Sequence, residues 1–184
     1  MSCRFPGAAD PAAFWELLAA GQEAVGEPPV GRGWNVVQAT DVIDGSLPTR
    51  AGWIGGIDQF DAAYFGLSPR EAARMDPQQR LLLELAREAL ADAGLAPEPL
   101  RNSRTGVYVG ISTSEYSRNR TLTQADAWSG TGNLLSLAAG RIASILGLQG
   151  PAMVVDTACS SGLVAVHLAM QSLRSGESHL ALAG

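Results

Sequence analysis

Two short apolar runs, residues 153–157 and 179–183, flank a helix-length segment, residues 160–174, that stops before Gly176. Runs of this length, apolar and bounded by turn residues, read as buried strands, and together with the helix they read as a βαβ unit of a parallel sheet. The helix is apolar nearly all round, through Leu163, Val164, Ala165, Val166, Leu168, Ala169, Met170 and Leu173. Covering one face of a sheet requires only one apolar stripe. A helix like this one is expected to have protein on both sides, as when it lies between two sheets, and the fold class is α/β.

Further signals lie upstream. Asp10-Pro11 supplies an N-cap and a first-turn proline for a helix carrying Phe14, Leu17 and Leu18, stopped by Gly21. Ser68-Pro69-Arg70-Glu71 and Asp76-Pro77-Gln78-Gln79 repeat the device eight residues apart, so two helices start in quick succession. The second carries an apolar stripe of Leu82, Leu85, Ala86, Ala89, Leu90 and Ala93 and ends at Gly94. Residues 105–111 read as a β-branched strand that runs into Ser112-Thr113-Ser114, and residues 133–146 as one helix closed by Gly147. Residues 21–50, with Pro28, Pro29, Gly31, Gly33 and Pro48, follow no period and read as loop.

Composition narrows the function. The net charge is −5, the arginines are scattered, and nucleic-acid binding is not expected. All 13 basic residues are arginine, which excludes a Schiff-base lysine and the lysine of a P-loop. No stretch has the length and apolarity of a membrane span or a signal peptide, so the expected location is the cytoplasm, with no membrane partner. Cys3 and Cys159 form no metal-ligand spacing and no disulfide framework, and the acceptor-like Asn119-Arg120-Thr121 reads as chance. Charged residues make up only 17%, against about 25% in an average soluble domain, so much of the chain is buried or it belongs to something larger.

Cys159 is the candidate nucleophile. It falls where a strand gives way to a helix, and the aligned peptide dipoles and free N–H groups of a helix start favour thiolate and can hold an oxyanion. Ala158-Cys159-Ser160-Ser161-Gly162 also reads as an A-x-S-x-G variant of the hydrolase elbow, with Ser160 attacking, although Ser160 and Ser161 are explained as first-turn caps. Neither histidine serves as the base. His167 stands eight residues along the helix from Cys159, about 12 Å at roughly 1.5 Å per residue, and His179 begins a strand at the other end of the sheet. The chain finishes on an apolar strand and starts as abruptly, which reads as a domain cut at both ends.

The segments CRFPGAADPAAFWELL, FDAAYFGLSPREAARMDPQQRLLLELAREALADAG, RTGVYVGIST and DTACSSGLVAVHLAMQSLRSGE together resemble the β-ketoacyl synthase domain of modular type I polyketide synthases. Gly162 stands where that family usually has serine. The resemblance implies a thiolase-like fold of five layers, α/β/α/β/α, of which residues 1–184 are the N-terminal part. It assigns Cys159 the role of acyl acceptor. The acyl chain arrives on the phosphopantetheine thiol of an acyl carrier protein, and a malonyl-type extender is decarboxylated to a carbanion that attacks the acyl thioester. No cofactor is bound directly. The family's H-G-T-G-T and K-x-x-x-G-H histidine motifs do not occur in this chain, and a homodimer is the implied assembly. Two other readings stand beside this one: a non-catalytic remnant or dimerisation segment of a megasynthase, and a serine hydrolase using Ser160.

Overall fold

The computed structural model describes residues 1–29, 50–114, 116 and 127–184. Part of the loop reading for residues 21–50, and Asn119-Arg120-Thr121, lie outside these. The chain divides into two compact units, Met1–Ile57 and Asp58–Gly184.

In the first unit, helix α1 (Pro11–Ala19) is started by Asp10, whose carboxylate accepts the Ala13 N–H at 2.8 Å, with proline in the first turn. Gly21 follows with φ +60°, the left-handed conformation that terminates helices. The Phe5 and Phe14 rings stack at 4.2 Å between centroids. An antiparallel pair joins β1 (Val25–Gly26), within the region read as loop, to β2 (Ala51–Gly52), just past its end, fastened by Trp53 Nε1 donating to the Gly26 carbonyl. Strands of two residues leave no period to detect in sequence.

The second unit is built on β3 (Thr105–Gly110), paired in parallel on both edges, to β4 (Ala152–Val155) on one and β5 (Leu180–Ala183) on the other. The βαβ connection through helix α6 (Ser161–Arg174) therefore joins strands that are not neighbours, because β3 lies between them. Alternation along β3 sorts the two faces. Val107, Val109 and Ile111 enter the larger core with Leu83, Ala86 and Leu90 of helix α3 (Pro77–Asp92) and Ala138, Ala139 and Ile142 of helix α5 (Leu137–Leu146). Tyr108 enters the opposite core with Ala165 and Ala169 of α6. The outer side of α6 stays open, with Leu163 79% exposed and Val166, Met170 and Leu173 also exposed.

Helix α2 (Pro69–Arg74) and α3 start at the expected caps. Ser68 Oγ accepts from the Glu71 N–H at 3.1 Å, and Asp76 Oδ1 from the Gln78 N–H at 2.8 Å. The buried face of α3, however, is Gln79, Leu83, Ala86 and Leu90. It overlaps the expected stripe only at Ala86 and Leu90, and Ala93 is exposed. The rotation follows Gln79, a polar residue buried because its amide is fully used. Its Nε2 donates to the carbonyls of Gly132 and Leu134, and its Oε1 accepts from Arg141 Nε at 3.0 Å.

The same contacts delay the helix expected over 133–146 until Leu137 and end a separate, unexpected helix just ahead of it. Helix α4 (Ala127–Asn133) ends where α3 takes these carbonyls, since Gly132 O accepts from both Asp76 N and Gln79 Nε2. Asn133 Nδ2 reaches Arg74 O at 3.2 Å, and α5 begins only at Leu137. Gly132 has no alternative here: a Cβ would stand 2.3 Å from Arg74 O. Arg141 closes the network by pairing with Glu71, with the two side chains 10% and 14% exposed. Among the described residues, no helix is long and apolar enough to cross a membrane.

Removing one member of a buried, hydrogen-bonded ion pair costs about 3–5 kcal/mol, because the other is left uncompensated. Arg141→Ala is expected to destabilise the fold by that amount in denaturant unfolding. A loss below about 1 kcal/mol is the result that removes Arg141 from the fold's supports.

Candidate active site

In a parallel sheet every strand delivers its carboxyl end to the same side. β3 there passes into Ile111–Ser114, and β4 passes into Asp156, Thr157, Ala158 and Cys159. Cys159 is exposed, two residues ahead of α6, so it stands on the turn feeding the helix and not in its first turn.

The turn is built from local polar contacts. Asp156 Oδ1 accepts the Ala158 N–H at 3.0 Å, an Asx turn that begins the reversal. Ala158 then adopts φ +54°, a conformation that non-glycine residues seldom take, and the chain folds back so that the Ser161 N–H reaches Ala158 O at 3.1 Å. The result is an elbow with Cys159 at its tip. The N–H groups of Cys159, Gly162 and Leu163 have no hydrogen-bond partner among the described residues.

The serines do not act as the expected caps. Ser160 takes the N-cap position without a side-chain cap bond, and its Oγ instead turns back to Thr157 O at 2.8 Å and Thr157 Oγ1 at 2.9 Å. Ser161 is buried, and its Oγ accepts from the Thr157 N–H at 2.9 Å and donates to Ala158 O at 2.7 Å. Sequence reasoning placed both hydroxyls on the helix; they serve the elbow. The signal that would have shown this, a left-handed Ala158, is not visible in composition or period.

The histidines lie where the topology put them. His167 is exposed on α6, and His179 precedes β5 at the amino end of the sheet, where its ring meets the Arg104 guanidinium. Neither is bonded to Cys159 or Ser160 among the described residues, so neither is placed as a base for Ser160.

Close packing of β3 on α6 fixes the height of the elbow. At Gly110 a Cβ would lie 2.6 Å from both the Gly162 nitrogen and the Ser161 carbonyl carbon. Only glycine at the end of β3 lets the start of α6 come this near.

A parallel sheet with an exposed cysteine on a strand-to-helix elbow places the chain in the α/β class, and the comparisons name the family. The family model described as Beta-ketoacyl synthase, N-terminal domain, matches residues 1–184, and the chain belongs to that family. It is 50% identical over 187 residues to erythronolide synthase EryA3 of Saccharopolyspora erythraea, covering all of this chain and 6% of that protein. It is 50% identical over 192 residues to the spectinabilin polyketide synthase system protein NorC of Streptomyces orinoci, again over the whole chain and 8% of the relative. The chain thus spans less than a tenth of the length of these relatives. Among solved structures, a ketosynthase from module 6 of the bacillaene synthase of Bacillus subtilis 168 superposes with a TM-score of 0.81 at 35% identity. That match covers 95% of this chain and 28% of the other. The thiolase-like α/β fold and the ketosynthase kinship expected from sequence are thereby established.

Gly110→Ala is expected to destabilise the fold by about 1–3 kcal/mol through overpacking and to slow alkylation of Cys159 by iodoacetamide. Thermal melting and the alkylation rate check this together. An unchanged rate in a folded variant dissociates the elbow from the β3 contact.

Proposed function

We propose that Cys159 is the acyl-accepting nucleophile of a β-ketoacyl synthase acting in polyketide biosynthesis. The observation that carries this is the exposed thiol on the left-handed elbow at the carboxyl end of the sheet, in a chain of ketosynthase kinship. The Cys159 sulfur attacks the carbonyl carbon of an acyl thioester carried on the phosphopantetheine arm of an acyl carrier protein. A new C–S bond forms, the bond to the carrier sulfur breaks, and the cysteine's proton leaves with the carrier thiol. A malonyl-type extender then loses CO2, and its carbanion attacks the acyl-cysteine carbonyl. The C–C bond forms, the cysteine is released, and the β-ketoacyl product stays on the carrier. Groups outside the described residues assist the second step, since neither His167 nor His179 approaches the elbow.

Residues 1–184 are, on this reading, the N-terminal half of the synthase domain, and the open side of α6 is covered by the second sheet of the thiolase-like fold. The working assembly is a homodimer served by acyl carrier proteins. Burying a leucine side chain contributes about 1.5–3 kcal/mol. Leu163→Asp in the full-length protein is therefore expected to destabilise the synthase domain by at least 2 kcal/mol. A cost below about 0.5 kcal/mol in denaturant unfolding leaves that side of the helix facing water.

The catalytic assignment is checked by mass spectrometry of the full-length protein incubated with acyl carrier substrate. An acyl mass increment is expected on the peptide holding Cys159, absent from Cys159→Ala, with condensation product falling at least a hundredfold. Persistence of the adduct in Cys159→Ala, or labelling of Ser160 by a fluorophosphonate, moves the role to the serine.

A further inference from the structure

Ser161 presents an arrangement that nothing in the acyl-transfer chemistry requires of a helix residue. Its side chain is buried, the residue being 5% exposed, and its one oxygen holds backbone groups on both sides of Ala158. It accepts from Thr157 N–H at 2.9 Å and donates to Ala158 O at 2.7 Å. A hydroxyl has one proton, and Ala158 O takes it, so the 3.4 Å approach of Ser112 Oγ is one in which Ser112 donates.

The two anchored groups are separated by the φ and ψ of Thr157 and Ala158 alone. With the Ser161 N–H on Ala158 O at 3.1 Å and Asp156 Oδ1 on the Ala158 N–H at 3.0 Å, this oxygen constrains the four torsions that make the elbow, including the left-handed φ +54° of Ala158. It does more than hold the chain. The Ala158 carbonyl and the Cys159 N–H belong to one planar peptide and point in opposite directions. Drawing Ala158 O inward to Ser161 turns the Cys159 N–H outward, where it has no partner among the described residues. That N–H sits beside the sulfur, where the oxygen of a thioester under attack acquires negative charge.

Ser112 extends the support to the far side of the sheet's end. It lies in the segment following β3, and two residues on, Ser114 Oγ donates to Asp76 Oδ2 at 2.6 Å, while Gln78 Nε2 donates to Thr113 O at 2.9 Å. Asp76 is itself buried at the start of α3. The elbow is thus braced from α3 through residues 112–114 to Ser161.

We propose that Ser161 is a positioning residue for acyl transfer, whose buried hydroxyl locks the elbow and aims the Cys159 backbone N–H at the developing oxyanion. This rests on Cys159 being the nucleophile. Ser161 touches no substrate, and its effect passes through the peptide plane between Ala158 and Cys159.

The test uses the full-length protein and an acyl N-acetylcysteamine thioester, with the single-turnover acylation of Cys159 followed by mass spectrometry over a range of thioester concentrations. Removing an oxyanion donor costs on the order of 100- to 1,000-fold, and a donor left in place but misaimed loses part of that. Ser161→Ala is expected to lower the maximal acylation rate roughly 10- to 100-fold, with the half-saturating concentration within about threefold of the parent. Adding Ala158→Gly is expected to recover part of the rate, because glycine takes the left-handed conformation without a side-chain penalty.

Should Ser161→Ala not fold, the isosteric pair Ser161→Thr and Ser161→Val decides. Threonine keeps the hydroxyl and is expected to acylate at least tenfold faster than valine. Equal rates in that pair, or a Ser161→Ala protein acylating within twofold of the parent, overturn the proposal. A Cys159→Ala control separates the two levels. If it still acquires the acyl group, the nucleophile assignment fails and this inference with it; if it does not while Ser161→Ala acylates normally, only the positioning role fails.

Discussion

The second unit depends on how closely backbone can approach backbone on one side of β3. At Gly110 a Cβ would stand 2.6 Å from the Gly162 nitrogen, and at Gly106 on the same side it would meet the Tyr108 side chain at 2.6 Å. Gly150, in the turn entering β4, would place a Cβ 2.5 Å from Thr105 C. Strand pairing, the seat of α6 and the height of the elbow all follow from these contacts. The other side of β3 is filled conventionally by Val107 and Val109, and Gln79 and Arg141 add polar ties between its helices.

What could be read from sequence was local. Asp10, Ser68 and Asp76 act within three residues of themselves, and each caps the helix it was expected to cap. Strands β3, β4 and β5 were visible as apolar runs, while β1 and β2, at two residues each, were not. The errors arise where distant residues meet. The α3 stripe omitted Gln79 because a buried glutamine is explained only by Gly132, Leu134 and Arg141, more than fifty positions away. The late start of α5, at Leu137 and not at residue 133, has the same cause, since α3 takes the carbonyls of Gly132 and Leu134, and α4 was not expected at all.

The place of Cys159 at the strand-to-helix turn was legible because its neighbours in sequence are also its neighbours in space. Ser161 was legible only as a helix residue. Its true partners, Thr157 N–H and Ala158 O, are close in sequence, but the bond exists only once Ala158 turns left-handed, and Gly110 must first let the helix start come near. A β-carbon at position 110 therefore bears on a hydroxyl it never touches, through the spacing of two backbones.

The polarity of the sheet also bears on where the rest of the chemistry must enter. β3, β4 and β5 run parallel, so residues 111–114, 156–159 and Gly184 share one end, and His179 lies at the other. On the proposed reading, a group that assists at the Cys159 thioester approaches from beyond the carboxyl ends of these strands, the side on which the elbow stands open. The open surface of α6 adjoins this side, since Leu163 lies one turn from Cys159. A second sheet laid over Leu163, Val166 and Met170 would bring its own strand ends, or the loops leaving them, within reach of the elbow. Covering the helix and completing the site are then one packing event, and a substitution on the exposed face of α6 is expected to disturb both together.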